Sequence, residues 1–290
     1  MILSQRVIFF DNIHVGFTKL DLPLHFILNL ATDNFIFLMI DWSSPLVHSS
    51  VDWVFIVLCA MLIGMSKTGV PGVSMIVVPT LALIFGGKQS TGVLLPILIV
   101  ADVFAVIYYH RHANWKHLLK ALPWALAGLV LALWIGYQVN DQQFKRMIAV
   151  IVFLSIALMI LNDYGFKNRV VADHWWFAAI LGIVGGFATM IGNVAGPIFA
   201  IYLLAMHLDK KSYIGTTAWF FFIINLSKFP LQAFVWKNIN INTLTVDIMV
   251  IPAIAAGALI GIYAVKRIPE IIYKWLVIVI TAISAFLIFI

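Results

Sequence analysis

The sequence predicts an all-α, polytopic integral membrane protein built from two inverted repeats of about five spans each. Hydrophobic residues make up 63% of the 290 residues and charged residues only 10%, against roughly 45–50% and about 25% in a soluble domain. A chain with so few charges cannot cover a water-facing surface. Apolar runs of spanning length follow one another almost without a break after residue 51. Glycine-rich interruptions recur at matching places in the two halves, which predicts the repeat.

The first fifty residues differ from the rest, because charged residues interrupt each apolar run before it reaches the roughly 20 residues of a span. No ordered pattern of basic start, apolar core and small-residue cleavage site is present either. We therefore interpret 1–50 as an N-terminal extension, with a start at Met39 as the alternative. The first membrane repeat is predicted at 51–162 and the second at 173–290.

Two pairs of neighbouring spans are separated only by short breaks rich in glycine and proline. The first is GMSKTGVPG, residues 64–72, and the second is GGFATMIGNVAGP, residues 185–197. Short apolar segments interrupted in this way are typical of broken helices near the membrane midplane. The predicted spans are 52–68, 72–86, 89–110, 118–139, 143–161, 174–191, 196–207, 212–235, 243–264 and 270–290.

The two halves share a register as well as a helix order. At an offset of 123 residues, identical or near-isosteric residues coincide, and after a six-residue insertion the offset becomes 129. An odd number of spans per half places the halves upside down relative to each other, and this inverted repeat is typical of transporters. The matches are Gly69 with Gly192, Lys88 with Lys211, Gly92 with Gly215, Asp102 with Asn225, Pro123 with Pro252 and Gly128 with Gly257.

The first break carries a cation, Lys67, between Ser66 and Thr68. One interpretation is a lysine that extends to the interface or caps a half-helix. The other is a fixed positive charge at an anion site, where glycines let backbone N–H groups approach the ligand and a half-helix directs its positive end there. The second break, with Asn193, could present the same geometry from the opposite side.

Asn225 and Lys228 lie three residues apart in the run FFIINLSKFPLQ, and therefore share one face of a helix. Pro230 is expected to loosen the backbone beside them. Lys228 lies about nine residues, roughly 13 Å, from the apparent end of its span. That depth is too great for easy escape to water, which favours a place on the transport pathway.

Asp102 is the acid that we expect inside a span. It is either a structural partner of Lys67 or Lys228, or the group that carries a proton in a coupled transporter. Periodicity does not separate the two.

Three histidines, His110, His112 and His117, form a cluster that could serve an enzyme as metal ligands or as an acid–base set. They fall where a span meets water and where aromatic residues form an interfacial belt, so we interpret them as interfacial. No Walker, HExxH, CxxC or GxSxG run occurs. We predict no enzymatic activity, no cofactor and no bound metal.

The two breaks, together with FGGKQSTGVLLP and KKSYIGTT that follow them, resemble the sulfite exporter TauE/SafE family over about residues 52–290. The resemblance implies an integral membrane protein that moves sulfite, organosulfonates or related anions. Many members carry a run of glycines in the first break, where this chain has Ser66, Lys67, Thr68 and Pro71. The added cation agrees with an anionic substrate.

Together these observations predict a secondary transporter that exports a small sulfur-containing or carboxylate anion across a prokaryotic cell membrane. The partners expected are this anion and the lipid bilayer, with a homodimer left open and no nucleic acid. The alternatives are a cation or metal-ion carrier using Asp102, Asn193 and Asn225, or an intramembrane enzyme using the histidines. Lys67→Met is expected to abolish transport and leave stability nearly intact. The predicted substrate site comprises Lys67, Thr68, Gly69, Gly72, Gly192, Asn193, Gly196, Asn225 and Lys228, with Asp102 for proton coupling.

Overall fold

The structure is a computed structural model that describes residues 46–47, 49–68, 74–163, 174–206, 208 and 210–264, with isolated positions at 279, 283 and 286. This part of the chain contains helices and no strand, which confirms the predicted all-α class. The helices are α1 Ser50–Thr68, α2 Ser74–Phe85, α3 Gly87–Tyr109, α4 Trp115–Gln138, α5 Asp141–Asp163, α6 Trp175–Gly192, α7 Gly196–Ala205, α8 Lys210–Pro230, α9 Ile241–Met249 and α10 Ile251–Ala264. A 3₁₀ turn, His110–His112, follows α3, and a π-helical segment, Leu231–Trp236, continues α8.

Five helices are long and apolar enough to cross a membrane: α1, α3, α4, α6 and α8 with its π-helical segment. The bent pair formed by α9 and α10 makes a sixth candidate. The partners α2 and α7 have only 12 and 10 residues. At 1.5 Å per residue they are roughly 18 and 15 Å long, about half of a 30 Å hydrocarbon layer. The predicted last span, 270–290, lies outside the described residues apart from its isolated positions, as do residues 69–72 of the first break.

Two helices deform where proline removes a backbone donor. Pro230 ends the α-helical part of α8, and the chain continues as the π-helical segment, as the sequence predicted for this position. Pro252 lies just after the break at Val250, where the axes of α9 and α10 differ by 45°. Because a proline has no N–H group, it cannot bond to the carbonyl of Ile248 four residues earlier, and the helix bends there.

Close glycine contacts hold two pairs of helices together. Between α4 and α6, a Cβ on Gly128 would overlap the carbonyl of Ile183, and one on Gly186 would overlap the carbonyl of Ala125. Between α1 and α10, Gly64 and Gly257 stand in the same relation to the facing backbone. Small residues of this kind let membrane helices approach closely enough for backbone contact.

Helix α3, most of whose residues are buried, packs against α8 and also against α1, α2, α5, α9 and α10. It therefore occupies the middle of the bundle. The polar side chains of the site lie along this α3–α8 contact and at the adjoining ends of α1 and α6.

Candidate functional site

Lys67 lies in the last turn of α1 and points into the bundle. Its Nζ is 2.7 Å from Oδ1 of Asp102, and its side chain is 15% exposed. The same ammonium stands 4.5 Å from the centre of the Phe221 ring on α8, a distance at which the face of an aromatic ring attracts a cation. Lys67 is therefore held by an internal ion pair and does not extend to the interface.

Asp102, in the middle of α3, is fully buried and has both oxygens engaged. Oδ1 faces Lys67, and Oδ2 accepts a 2.6 Å hydrogen bond from Nδ2 of Asn225. A buried carboxylate is tolerated when a cation and a hydrogen-bond donor replace its lost hydration. Both are present.

Lys228, one helical turn after Asn225 on α8, is completely buried. Its ammonium donates to Oδ1 of Asn225 at 3.1 Å, to Oγ1 of Thr189 at 3.2 Å and to Oδ1 of Asn193. These acceptors use the three N–H donors of the ammonium, but all of them are neutral. The described residues place no carboxylate in an ion pair with Lys228.

Helix α6 ends at Gly192, inside the second break, and its C-cap is Asn193, which has φ = 54° in the left-handed region. Asparagine adopts this conformation more readily than most residues, and it closes the helix here through an N–H bond to the carbonyl of Thr189 at 3.0 Å. Because Oδ1 of Asn193 faces Lys228, its amide nitrogen is directed elsewhere. That nitrogen is buried and has no hydrogen-bond partner among the described residues.

Space is available beside this break. A Cβ built on Gly196, the first residue of α7, would meet no described atom within 4 Å. The N-terminal turn of α7 leaves the N–H groups of Gly196 and Ile198 without a partner within the helix, whereas Pro197 has no N–H group and Phe199 donates to the carbonyl of Ala195 at 2.9 Å. A buried amide donor, a helix N-terminus and a buried ammonium thus converge on one region, a combination suited to a small anion.

The polar residues form one connected network across α1, α3, α8 and the second break, which runs from Lys67 through Asp102 and Asn225 to Lys228 and Asn193. Two lysines and one aspartate give it a net charge of +1. An anion that joined the network would bring this charge to zero.

Comparison with known protein families identifies the family of this chain. A family model described as "Sulfite exporter TauE/SafE" matches residues 55–288. The chain belongs to the TauE/SafE family. Neither a curated protein nor a solved structure matches it significantly. Membership and the apolar helices identify a multi-pass membrane protein of a transporter family, and the family's description points to sulfur-containing anions.

In this TauE/SafE member, the network contains five of the predicted site residues: Lys67, Asp102, Asn193, Asn225 and Lys228. Gly196 borders the open space, and Gly192 is buried directly before Asn193.

Among the described site positions, Thr68 does not join the network. The hydroxyl of Thr68 donates to the carbonyls of Gly64 at 3.0 Å and Ala258 at 2.8 Å, which fastens α1 to α10. Gly69 and Gly72 lie outside the described residues.

The oxygens that the metal-carrier alternative needs are occupied by donors. Oxygens of Asp102, Asn225 and Asn193 each face an ammonium or an amide nitrogen, so a cation would have to displace a lysine. Within the described ranges, no group of three or more His, Cys, Asp or Glu side chains could hold a metal ion. The histidines lie on the 3₁₀ turn after α3 and in the first turn of α4, where His117 accepts a 2.9 Å bond from Tyr202 at its main-chain carbonyl.

Sequence reasoning missed three residues of interest. Thr189 binds Lys228 from α6, and Phe221 lies under Lys67. The expectation that Asp102 is the acid inside a span was incomplete, because Asp247 is buried in α9, within the predicted span 243–264. Asp247 was visible in the sequence as the one acid of that span, whereas the contacts of Thr189 and Phe221 depend on helix packing.

Proposed function

We propose that this chain is a secondary transporter that exports a small anion such as sulfite, an organosulfonate or a related sulfur-containing or carboxylate anion. The observation that carries the proposal is Lys228, a fully buried ammonium with three neutral acceptors and no carboxylate among its described contacts. An unpaired charge inside a membrane is costly and commonly marks a substrate pathway. An anion beside Lys228 would supply the missing countercharge.

The proposed substrate lies between Lys228 and the N-terminus of α7. Asn193 would donate from its unpartnered amide nitrogen. Gly196 would leave room for the ligand next to the backbone, and Gly192 would contribute through its backbone, since Val194 lies 3.1 Å from the place of a Cβ there. Gly69, Gly72 and Thr68 complete the proposed site from the first break. Thr68 would position this break, because its hydroxyl bonds to main-chain carbonyls and its own carbonyl accepts a 3.2 Å bond from the hydroxyl of Tyr109.

Lys67 and Asp102 have a linked role in the proposal. While the ion pair is closed, Asp102 stands where an anion would bind Lys67. When the anion takes its place, the released carboxylate is free to accept a proton. Proton binding at Asp102 would thereby accompany anion binding at Lys67, which is one way to couple transport to a proton gradient.

An inverted repeat, with halves at 51–162 and 173–290, would supply the two alternating conformations. Three features support it. Asp102 and Asn225, 123 residues apart, touch each other, as equivalent residues do when they meet on a two-fold axis. The close pairs α1–α10 and α4–α6 would exchange under such an axis, and so would Gly128 and Gly257, which lie 129 residues apart.

The third feature involves Gly92 and Gly215, near the start of α3 and of α8. Gly92 lies against Asn238 in the connection after α8, and Gly215 lies against His112 in the connection after α3. Each of these two glycines therefore makes the contact that the repeat predicts for its equivalent in the other half.

A homodimer forms no part of the proposal.

Thermal stabilisation of the detergent-solubilised protein tests the function. The panel contains sulfite, sulfate, sulfoacetate, taurine, simple carboxylates and divalent metals. A ligand at 100 times its Kd should add about 2.7 kcal/mol, which is visible as a higher melting temperature. Lys228→Met should abolish the shift, since loss of one charge at 4 Å in partly polar surroundings is worth about 4 kcal/mol. Stabilisation by metals alone would contradict the proposal.

Lys145→Met is the matched control. Lys145 forms a partly exposed pair with Asp141 at 3.7 Å, away from the network, so this variant should keep the full shift. An anion-dependent shift that survives in Lys228→Met would remove Lys228 from the site. Transport of the stabilising anion by proteoliposomes, lost in Lys228→Met and retained in Lys145→Met, would extend the result from binding to function.

A further inference from the structure

Asp247 is a second acid buried in the bundle, and neither the proposed anion site nor its ion pair uses it. It lies near the end of α9 and is 5% exposed. Both of its carboxylate oxygens are buried and have no hydrogen-bond partner in the part of the chain that the structure describes. No lysine, arginine or histidine of that part lies within ion-pair distance. Asp102, by contrast, has a cation on one oxygen and an amide donor on the other.

An ionised carboxylate without partners is costly in hydrocarbon. A proton on one oxygen removes the charge, and this is the smallest ligand that can satisfy the group. Acids buried within transport proteins serve as proton-relay groups for this reason.

The charged groups of the described neighbouring helices form no ion pair with Asp247. Helix α9 has no other charged residue and packs against α3 and α10. On α3, Lys88 donates its ammonium to the carbonyl of Val139 at 2.7 Å, and Asp102 is held in the network. The remaining titratable groups of these two helices are the phenols of Tyr108, Tyr109 and Tyr263, which are neutral at physiological pH.

Asp247 lies close to the bend between α9 and α10. It lies three residues before Val250, where the axis turns by 45°, and five before Pro252, whose missing N–H group weakens the helix there. Beyond the bend, Gly257 on α10 packs directly on the backbone of α1, the helix that carries Lys67. A change of charge at Asp247 therefore acts close to the bend between α9, which packs on α3, and α10, which packs on α1 as well as on α3.

The segment that precedes Asp247 in the chain also contains a buried polar side chain. Gln232, on the π-helical segment four residues after Lys228, is fully buried and has neither amide atom paired among the described residues. π-helical turns inside longer helices are frequent at functional sites. Gln232 thus adds unpaired polar atoms to the buried part of the chain between Lys228 and Asp247.

We propose that Asp247 is a second proton-binding site, distinct from Asp102, whose protonation couples the movement of the anion to the transmembrane proton gradient. One O–H bond forms when a proton enters from one side of the membrane and breaks when it leaves to the other, and no other bond changes. The inference rests on the proposed transport function and adds a coupling residue to it.

Uptake of external radiolabelled sulfite by proteoliposomes, which hold unlabelled sulfite for the counterflow assay, separates coupling from binding. Asp247→Asn should abolish accumulation driven by a pH gradient, down to the level of protein-free liposomes, and should retain sulfite counterflow in the absence of a gradient. Asp247→Glu, which keeps a carboxyl group, should retain both activities. Gradient-driven accumulation in Asp247→Asn at the wild-type rate would overturn the proposal. So would loss of counterflow in Asp247→Asn at an unchanged melting temperature, since Asp247 would then belong to the anion site.

Infrared titration of the unliganded protein gives a readout that does not need transport. The C=O stretching band of a protonated carboxyl group should change with pH in the wild type and in Asp102→Asn, and the Asp247 component should be absent in Asp247→Asn. If sulfite neither stabilises the wild type nor exchanges across the liposomes, the proposed function fails, and the infrared result still decides the proton site. An identical band in Asp247→Asn would contradict the assignment.

Discussion

Removal of the charge on Lys67 should destabilise the protein far more than removal of a surface charge, because it leaves Asp102 alone in the interior. Lys67→Met deletes the ammonium 2.7 Å from Oδ1 and leaves a carboxylate that is 0% exposed. Breaking a buried pair by removing one partner costs about 3–5 kcal/mol. The sequence alone led us to expect nearly intact stability for this variant, and the ion pair reverses that expectation.

The double variant Lys67→Met/Asp102→Asn should recover part of this loss. Both charges are then gone, and an amide at position 102 still faces Asn225 across the 2.6 Å contact. The contact of Lys67 with the Phe221 ring is lost in the single and in the double variant, so it cancels from the comparison. We expect a coupling energy between positions 67 and 102 on the order of 1–3 kcal/mol.

Equilibrium unfolding in mixed micelles measures the free energy of unfolding of the wild type, the two single variants and the double variant in this cycle. The control cycle uses Lys145→Met and Asp141→Asn, whose side chains are 28% and 53% exposed and 3.7 Å apart. An exposed pair of this kind is expected to contribute at most about 1 kcal/mol. If the 67/102 cycle gives a coupling energy no larger than the control, the reasoning from burial is refuted.

Two further substitutions test the second break and the helix packing. Asn193→Asp keeps the side-chain shape and gives Lys228 a carboxylate partner. It should therefore lower anion affinity by at least about tenfold, or 1.4 kcal/mol, without loss of stability in calorimetry. An affinity equal to that of the wild type would contradict the charge argument. Gly186→Ala places a methyl group on the carbonyl of Ala125 and should cost about 1–3 kcal/mol. Gly196→Ala, which meets no described atom within 4 Å, should leave the unfolding free energy unchanged to within about 0.5 kcal/mol.

Much of the fold follows from the sequence because helix positions depend on local composition. Nine of the ten predicted spans coincide with helices of the described ranges, α9 and α10 together forming the ninth. The number of single helices that are long enough to cross a membrane was not predictable in the same way. It depends on where a helix ends inside an apolar run, and α2 and α7 stop after 12 and 10 residues.

Some contacts of the candidate site also follow from the sequence, and others depend on how the helices pack. The contact of Asn225 with Lys228 follows from a spacing of three residues on one helix, and the sequence predicted it. The pairing of Lys67 with Asp102 was one of two alternatives, because only the packing of α1 on α3 decides it. Thr189 reaches Lys228 from 39 positions away. No periodicity carries that information, since it arises where the end of α6 lies beside α8.

The Asp102–Asn225 pair explains how a symmetric fold could hold an asymmetric charge. In the proposed repeat these residues are equivalent and meet at 2.6 Å. Two aspartates there would repel each other, and two asparagines would leave Lys67 without its carboxylate. With one of each, Asp102 accepts from the amide nitrogen and neutralises Lys67, which turns the amide oxygen toward Lys228. The uncompensated positive charge therefore rests on Lys228, beside Asn193, and the anion should bind closer to the second break than to the first.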